Sequence, residues 1–147
     1  MAGSPPTDEG LIFRHAQLLR IKACVFGDRF MAFSFKKAAH NQYISEKDIK
    51  VPWYEHIKYA FENLAEDDLL LTAQVDFHCY AWDPNQDDED ELEVRPQLPN
   101  SFFVRVMMRY QQLISVSSDE NTLKTCPYHL HDTEEERKAC PSHRKAY

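Results

Sequence analysis

Hydrophobic and polar positions alternate over long parts of this chain. Leu19, Ile21, Ala23 and Val25 alternate with Arg20, Lys22 and Cys24, Gly27-Asp28 interrupts, and an apolar run resumes at Phe30. Alternation broken by a Gly-Asp pair predicts a β-hairpin. The cleanest predicted strand is "LTAQVDFHCYAW", in which Leu71, Ala73, Val75, Phe77, Cys79 and Ala81 share one face and Thr72, Gln74, Asp76, His78 and Tyr80 the other. "SFFVRVMMRYQQLISVS" predicts a long strand with Phe102, Val104, Val106, Met108 and Tyr110 opposite Phe103, Arg105, Met107, Arg109 and Gln111, bent near Gln112. One segment has another period. Trp53, Ile57, Phe61 and Leu64 recur at spacings of four, four and three behind Pro52, which predicts a helix with proline at its first position.

Between the last two predicted strands lies "DPNQDDEDELE", with six carboxylates in the seven residues 87–93. Their mutual repulsion predicts a solvated acidic insertion over 83–97, closed by Pro96 and Pro99. It lacks the glycine and terminal bidentate glutamate of an EF-hand loop, so it does not predict calcium binding in that mode. The expected organisation is a disordered segment 1–10, a single domain 11–124 and a polar Cys/His-containing tail 125–147.

Composition narrows the function classes. At 147 residues the chain is long enough for one domain with its own core, and 43% hydrophobic residues argue against a wholly disordered protein. Three glycines and no G-x-G-x-x-G or Walker pattern disfavour nucleotide binding. A formal charge of -7 opposes general nucleic-acid binding, which requires neutralising phosphates. Without a long apolar run or a signal-type start, the expectation is a cytoplasmic protein, with a nuclear location also open. Cysteines there are thiols, and Cys24 and Cys79 are predicted as small core hydrophobes.

The most unusual motif is the doubled Cys-Pro-x-His in "TCPYHLHDTEEERKACPSH". Cys126, His129, Cys140 and His143 would supply two thiolates and two imidazoles to a tetrahedral zinc ion, with His131 as a spare. Each pair is mixed, whereas the usual spacings put Cys with Cys and His with His. A solvated tail without metal is the bland alternative, and no cofactor is the expectation, with zinc kept as the rival. His15, His40, His56 and His78 are candidate general bases, but no nucleophile elbow or H-E-x-x-H motif accompanies them. They are expected on the surface of a protein that is not an enzyme.

Two blocks, "FENLAEDDLLLTAQVDF" over 61–77 and "LPNSFFVRVMMRY" over 98–110, resemble the signature of the TIPRL-like regulators of type 2A protein phosphatases. Leu98, Pro99, Ser101, Phe102 and Phe103 match the family's lead-in to a long apolar strand, and Phe26-Gly27-Asp28 is similar to an earlier turn. The run 83–97 departs from the family as an insertion. The resemblance implies an α+β domain with a mainly antiparallel, curved β-sheet and one or two helices packed on it. It also implies a non-catalytic protein that binds a type 2A phosphatase catalytic subunit and modulates its assembly or activity. The family's contact turn maps onto Asp119, Glu120 and Asn121, with Asn121 where an aspartate is expected. The rival class is a zinc-stabilised adaptor using the Cys126/His129/Cys140/His143 tail.

Overall fold

The computed structural model describes residues 7–45, 51–115 and 126–141. It is all-α: 77% of the described residues are helical and none of them forms a strand. The expectation of an α+β fold with a β-sheet is therefore overturned. The helices are α1 (Asp8–Arg29), α2 (Phe33–Ile44), α3 (Tyr54–Asn63), α4 (Leu69–Ala81), α5 (Glu89–Val94), α6 (Asn100–Ile114) and α7 (Glu134–Ala139). No helix among the described residues is long and apolar enough to cross a membrane.

The predicted hairpin is a helical one. α1 starts at Thr7, whose Oγ1 accepts from the Gly10 N–H at 3.2 Å, and buries Gln17, Ile21, Cys24 and Val25, a helical spacing. Leu19, counted with Ile21 in the alternation, is exposed. The turn falls at Phe30–Ala32 rather than at Gly27-Asp28. Ala32 N–H reaches Gly27 O at 2.8 Å and Met31 N–H reaches Asp28 O at 3.4 Å, the paired bonds of a Schellman ending, with Met31 left-handed at φ 55°.

Gly27 serves close packing, not turning. A Cβ placed there would stand 2.8 Å from Lys36 Cβ and 2.9 Å from Lys36 N, so α2 crosses α1 where only a hydrogen fits. Alanine would gain about 1 kcal/mol of helix propensity. Forcing the helices apart costs about 1–3 kcal/mol, and the obstructing atoms are backbone and Cβ that have nowhere to rotate. Gly27→Ala is expected to lower stability by up to about 2 kcal/mol in denaturant titration; raised stability would show that the two helices part easily.

α4 is the central helix. Leu70, Leu71, Ala73, Gln74, Val75, Phe77, His78 and Cys79 are all buried, around most of its circumference. Its N-cap Asp68 accepts from the Leu70 N–H at 2.9 Å and pairs with Lys36 at 2.7 Å. One cluster joins it to α1, α2 and Tyr128 through Ile21, Val25, Tyr43, Ile44 and Phe77; a second joins it to α3 and α6 through Ile57, Val75, Cys79 and Phe102. A helix buried nearly all round carries apolar residues at every phase, so some subset of them alternates by coincidence.

α6 shows the same coincidence from the opposite cause. Phe102, Val106, Tyr110 and Leu113 face the core at spacings of four, four and three. Val104 and Met108, aligned with them in the strand reading, are 52% and 57% exposed. The two segments predicted as strands pack against each other as α4 and α6: Arg105 donates to Thr72 Oγ1 at 2.9 Å, and His78 meets Phe102 edge-on at 5.4 Å. The helix predicted behind Pro52 is present as α3, although it starts at Tyr54 with Trp53 as N-cap.

The acidic run is partly ordered. Asp83 and Asp88 cap a 3₁₀ turn (Pro84–Gln86) and α5, accepting from the N–H groups of Asn85 and Glu91 at 2.9 Å each. Carboxylates at helix N-termini are favoured by unpaired N–H groups and the helix dipole, which offsets the repulsion among them.

Candidate metal centre

The stretch expected as a solvated tail is packed on the helical body between residues 126 and 141. After a 3₁₀ turn (Cys126–Tyr128), Tyr128 inserts beside α4: its ring meets Phe77 edge-on at 5.3 Å and its hydroxyl donates to Asp76 Oδ2 at 2.6 Å. His40 Nε2 lies 2.7 Å from Tyr128 O, and Asn41 exchanges two hydrogen bonds with the backbone of Leu130 at 2.6 and 2.9 Å. His129 is thereby held in a buried position against the end of α2.

The acidic and then basic spacer is α7. Thr133 Oγ1 accepts from the Glu136 N–H at 3.1 Å, Glu134 to Glu136 fill the first turn, and Arg137 and Lys138 the last, an order that complements the helix dipole. Lys37 on α2 pairs with Asp132 at 2.8 Å. This short helix reverses the chain and returns Cys140 to His129. The pattern Thr133-x-x-Glu136 was the sequence signal for it.

The resulting cluster comprises His129, His131 and Cys140, whose ligand atoms all lie within 4.8 Å of one another and which together could hold a metal ion. His129 Nδ1 is 3.3 Å from Cys140 Sγ. Its other nitrogen, Nε2, is 2.7 Å from Ser45 Oγ. With Nε2–H donating to Ser45, the lone pair of Nδ1 points to the thiol, the orientation an outer hydrogen bond imposes on a metal-binding imidazole. Burial, with His131 and His40 nearby, pushes His129 down to about 4, so it is neutral at pH 7. A neutral imidazole is the ligand form.

The structure brings together two of the four residues of the doubled motif, His129 and Cys140, and adds His131, the spare. The Cys126 side chain and His143 lie outside the described residues, as do Asp119, Glu120 and Asn121 of the expected phosphatase contact. The sheet that was to carry that contact is replaced by α4 and α6, which removes its structural premise.

Three of the candidate bases are core residues rather than surface ones. His40, His56 and His78 are buried, and only His15 of the four is exposed. Burial pushes His56 and His78 each down to about 4. His78 is stacked on Trp82 at 5.1 Å and meets Phe102 edge-on, the environment of a packing residue. Cys24 and Cys79 are buried as predicted, and burial lifts their thiols to about 12 and about 11. No protein-family model, curated protein or solved structure matches the chain.

Proposed function

We propose that this chain is a non-catalytic, all-helical protein-binding module whose segment 126–141 is clasped to the body by a zinc ion. The observation that carries the reading is the placement of His129, with Nδ1 on Cys140 Sγ and Nε2 committed to Ser45. Two imidazoles and a thiolate are a borderline-soft set that suits zinc over the hard cations. A structural zinc site is closed by four ligands, and His129, His131 and Cys140 would supply three of them. The metal would replace the thiol proton of Cys140 and lock α7 to the end of α2.

Buried, neutral histidines favour a binding role over acid-base catalysis. The acidic balance favours protein over nucleic-acid partners, and the exposed side chains of Phe26, Phe30, Met31, Phe33 and Phe35 beside the α1–α2 turn agree with that preference.

Elemental analysis of the purified chain is expected to find about one zinc per molecule, lost in Cys140→Ser. Ser45→Ala should weaken zinc about tenfold or more, because it frees the imidazole to change tautomer. Metal-free protein whose unfolding is unaffected by added zinc or chelator would refute the clasp.

A further inference from the structure

A second site lies where the start of α3, the end of α4 and the beginning of α5 converge, and it shares no residue with the metal cluster. It is an open recess of about 380 Å³ lined by Pro52, Trp53, Trp82, Asp87, Asp88 and Glu91 among others. Two half-buried indoles and three carboxylates around one recess form a negative, π-rich enclosure.

The carboxylates differ in how well they are satisfied. Asp87 accepts from Tyr54 OH at 2.6 Å, Trp82 Nε1 at 3.2 Å and Arg95 Nη1 at 3.3 Å. Asp88 caps α5. Glu91 is only 9% exposed, and its Oε2 accepts from the Tyr54 N–H at 3.0 Å. Its Oε1 makes no hydrogen bond among the described residues. Arg14 Nη2 stands 3.5 Å from that oxygen, but Arg14 is also engaged by Glu55 at 2.7 Å. Burial lifts Glu91 above the usual carboxylate range, with the Tyr54 N–H and Arg14 opposing it. The guanidinium of Arg14 also lies over Trp53 at 5.7 Å, so the fold already seats one cation on an indole beside Glu91.

We propose that this recess binds a methylated ammonium group. An indole face attracts a cation through its quadrupole, and Trp is the strongest aromatic partner. A bare ammonium or a metal ion holds its water tightly and would lose more hydration than the apolar walls return. A quaternary ammonium is weakly hydrated, presents methyl groups to Trp53, Trp82 and Pro52, and needs its charge balanced rather than hydrogen-bonded. Asp88, exposed at the recess, provides that balance while still capping α5, and Glu91, ion-paired with Arg14, adds its charge from behind the wall.

The test is a choline titration of the intact chain, followed by tryptophan fluorescence and calorimetry at matched ionic strength. Choline is expected to give a saturable change, and its neutral carbon isostere, dimethylbutanol, to bind about tenfold more weakly or worse, the scale of a desolvated cation–π contact. Glu91→Gln keeps an acceptor for the Tyr54 N–H and Asp88→Asn keeps the helix cap, so folded variants of either should lose about tenfold in choline affinity. Should Glu91→Gln fail to fold, Asp88→Asn carries the comparison. A trimethyl-lysine peptide that binds more tightly than choline assigns the group to a polypeptide, and one that binds no better assigns it to a small molecule. No saturable response to choline, an equal response to the isostere, or undiminished binding by the folded variants would overturn the site.

Discussion

Lowering the pH from about 7 to about 4.5 is expected to unfold the helical body, through His56 and His78 above all. Both are buried and held neutral, with burial pushing each down to about 4. An imidazole in the unfolded chain titrates near 6.5, so between about pH 6.5 and about pH 4 the unfolded state binds more protons than the native one. Stability is therefore fully present above about pH 6.5 and falls as the pH drops toward about 4.

Holding one imidazole neutral over that range represents on the order of 3 kcal/mol, and two such groups reach the lower end of the stability of a small domain, about 5–15 kcal/mol. His129, held low in the same way, adds to the trend. Far-ultraviolet circular dichroism with denaturant titration at stepped pH checks it, and His78→Phe should flatten the dependence. A denaturation midpoint that stays constant from about pH 7 to about pH 4.5 would mean that both histidines become charged in place, against their surroundings.

Phe102→Ala is the substitution with the largest expected cost, about 3–5 kcal/mol, from lost transfer energy and an unfilled cavity. Phe102 is 1% exposed and meets Phe61 and His78 edge-on at 5.7 and 5.4 Å, where α6 presses on α3 and α4. Val104→Ala, two positions on, should change stability by no more than about 0.5 kcal/mol, as surface changes do. The pair distinguishes helix from strand, because a strand would bury Phe102 and Val104 together. Comparable losses from both, measured by chemical denaturation, would contradict the helical α6.

How much of this was legible beforehand depended on how each helix is buried. α3 lies half in the core, so Trp53, Ile57, Phe61 and Leu64 carried its period openly. α4 has almost no polar face, and in α1 exposed Leu11, Ile12, Leu19 and Phe26 blur the stripe of Gln17, Ile21 and Cys24. In α6 the true stripe, Phe102, Val106, Tyr110 and Leu113, was present, but exposed Val104 and Met108 completed a false alternation. Gly27 looked like a turn because a close helix crossing and a tight turn both require the smallest residue, and only the position of Lys36 separates them.

The sequence by itself determined the chemistry present: thiols and imidazoles in a doubled motif, an acidic run, and apolar content enough for a core. It also determined one helix, since side chains three and four residues apart meet through local geometry alone. Which faces are buried was decided by tertiary packing, because burial is a property of the neighbours an element acquires. The same holds for the candidate centre: Ser45, more than eighty residues before His129, meets one imidazole nitrogen while the other faces Cys140. No spacing rule along the chain reaches across such a distance.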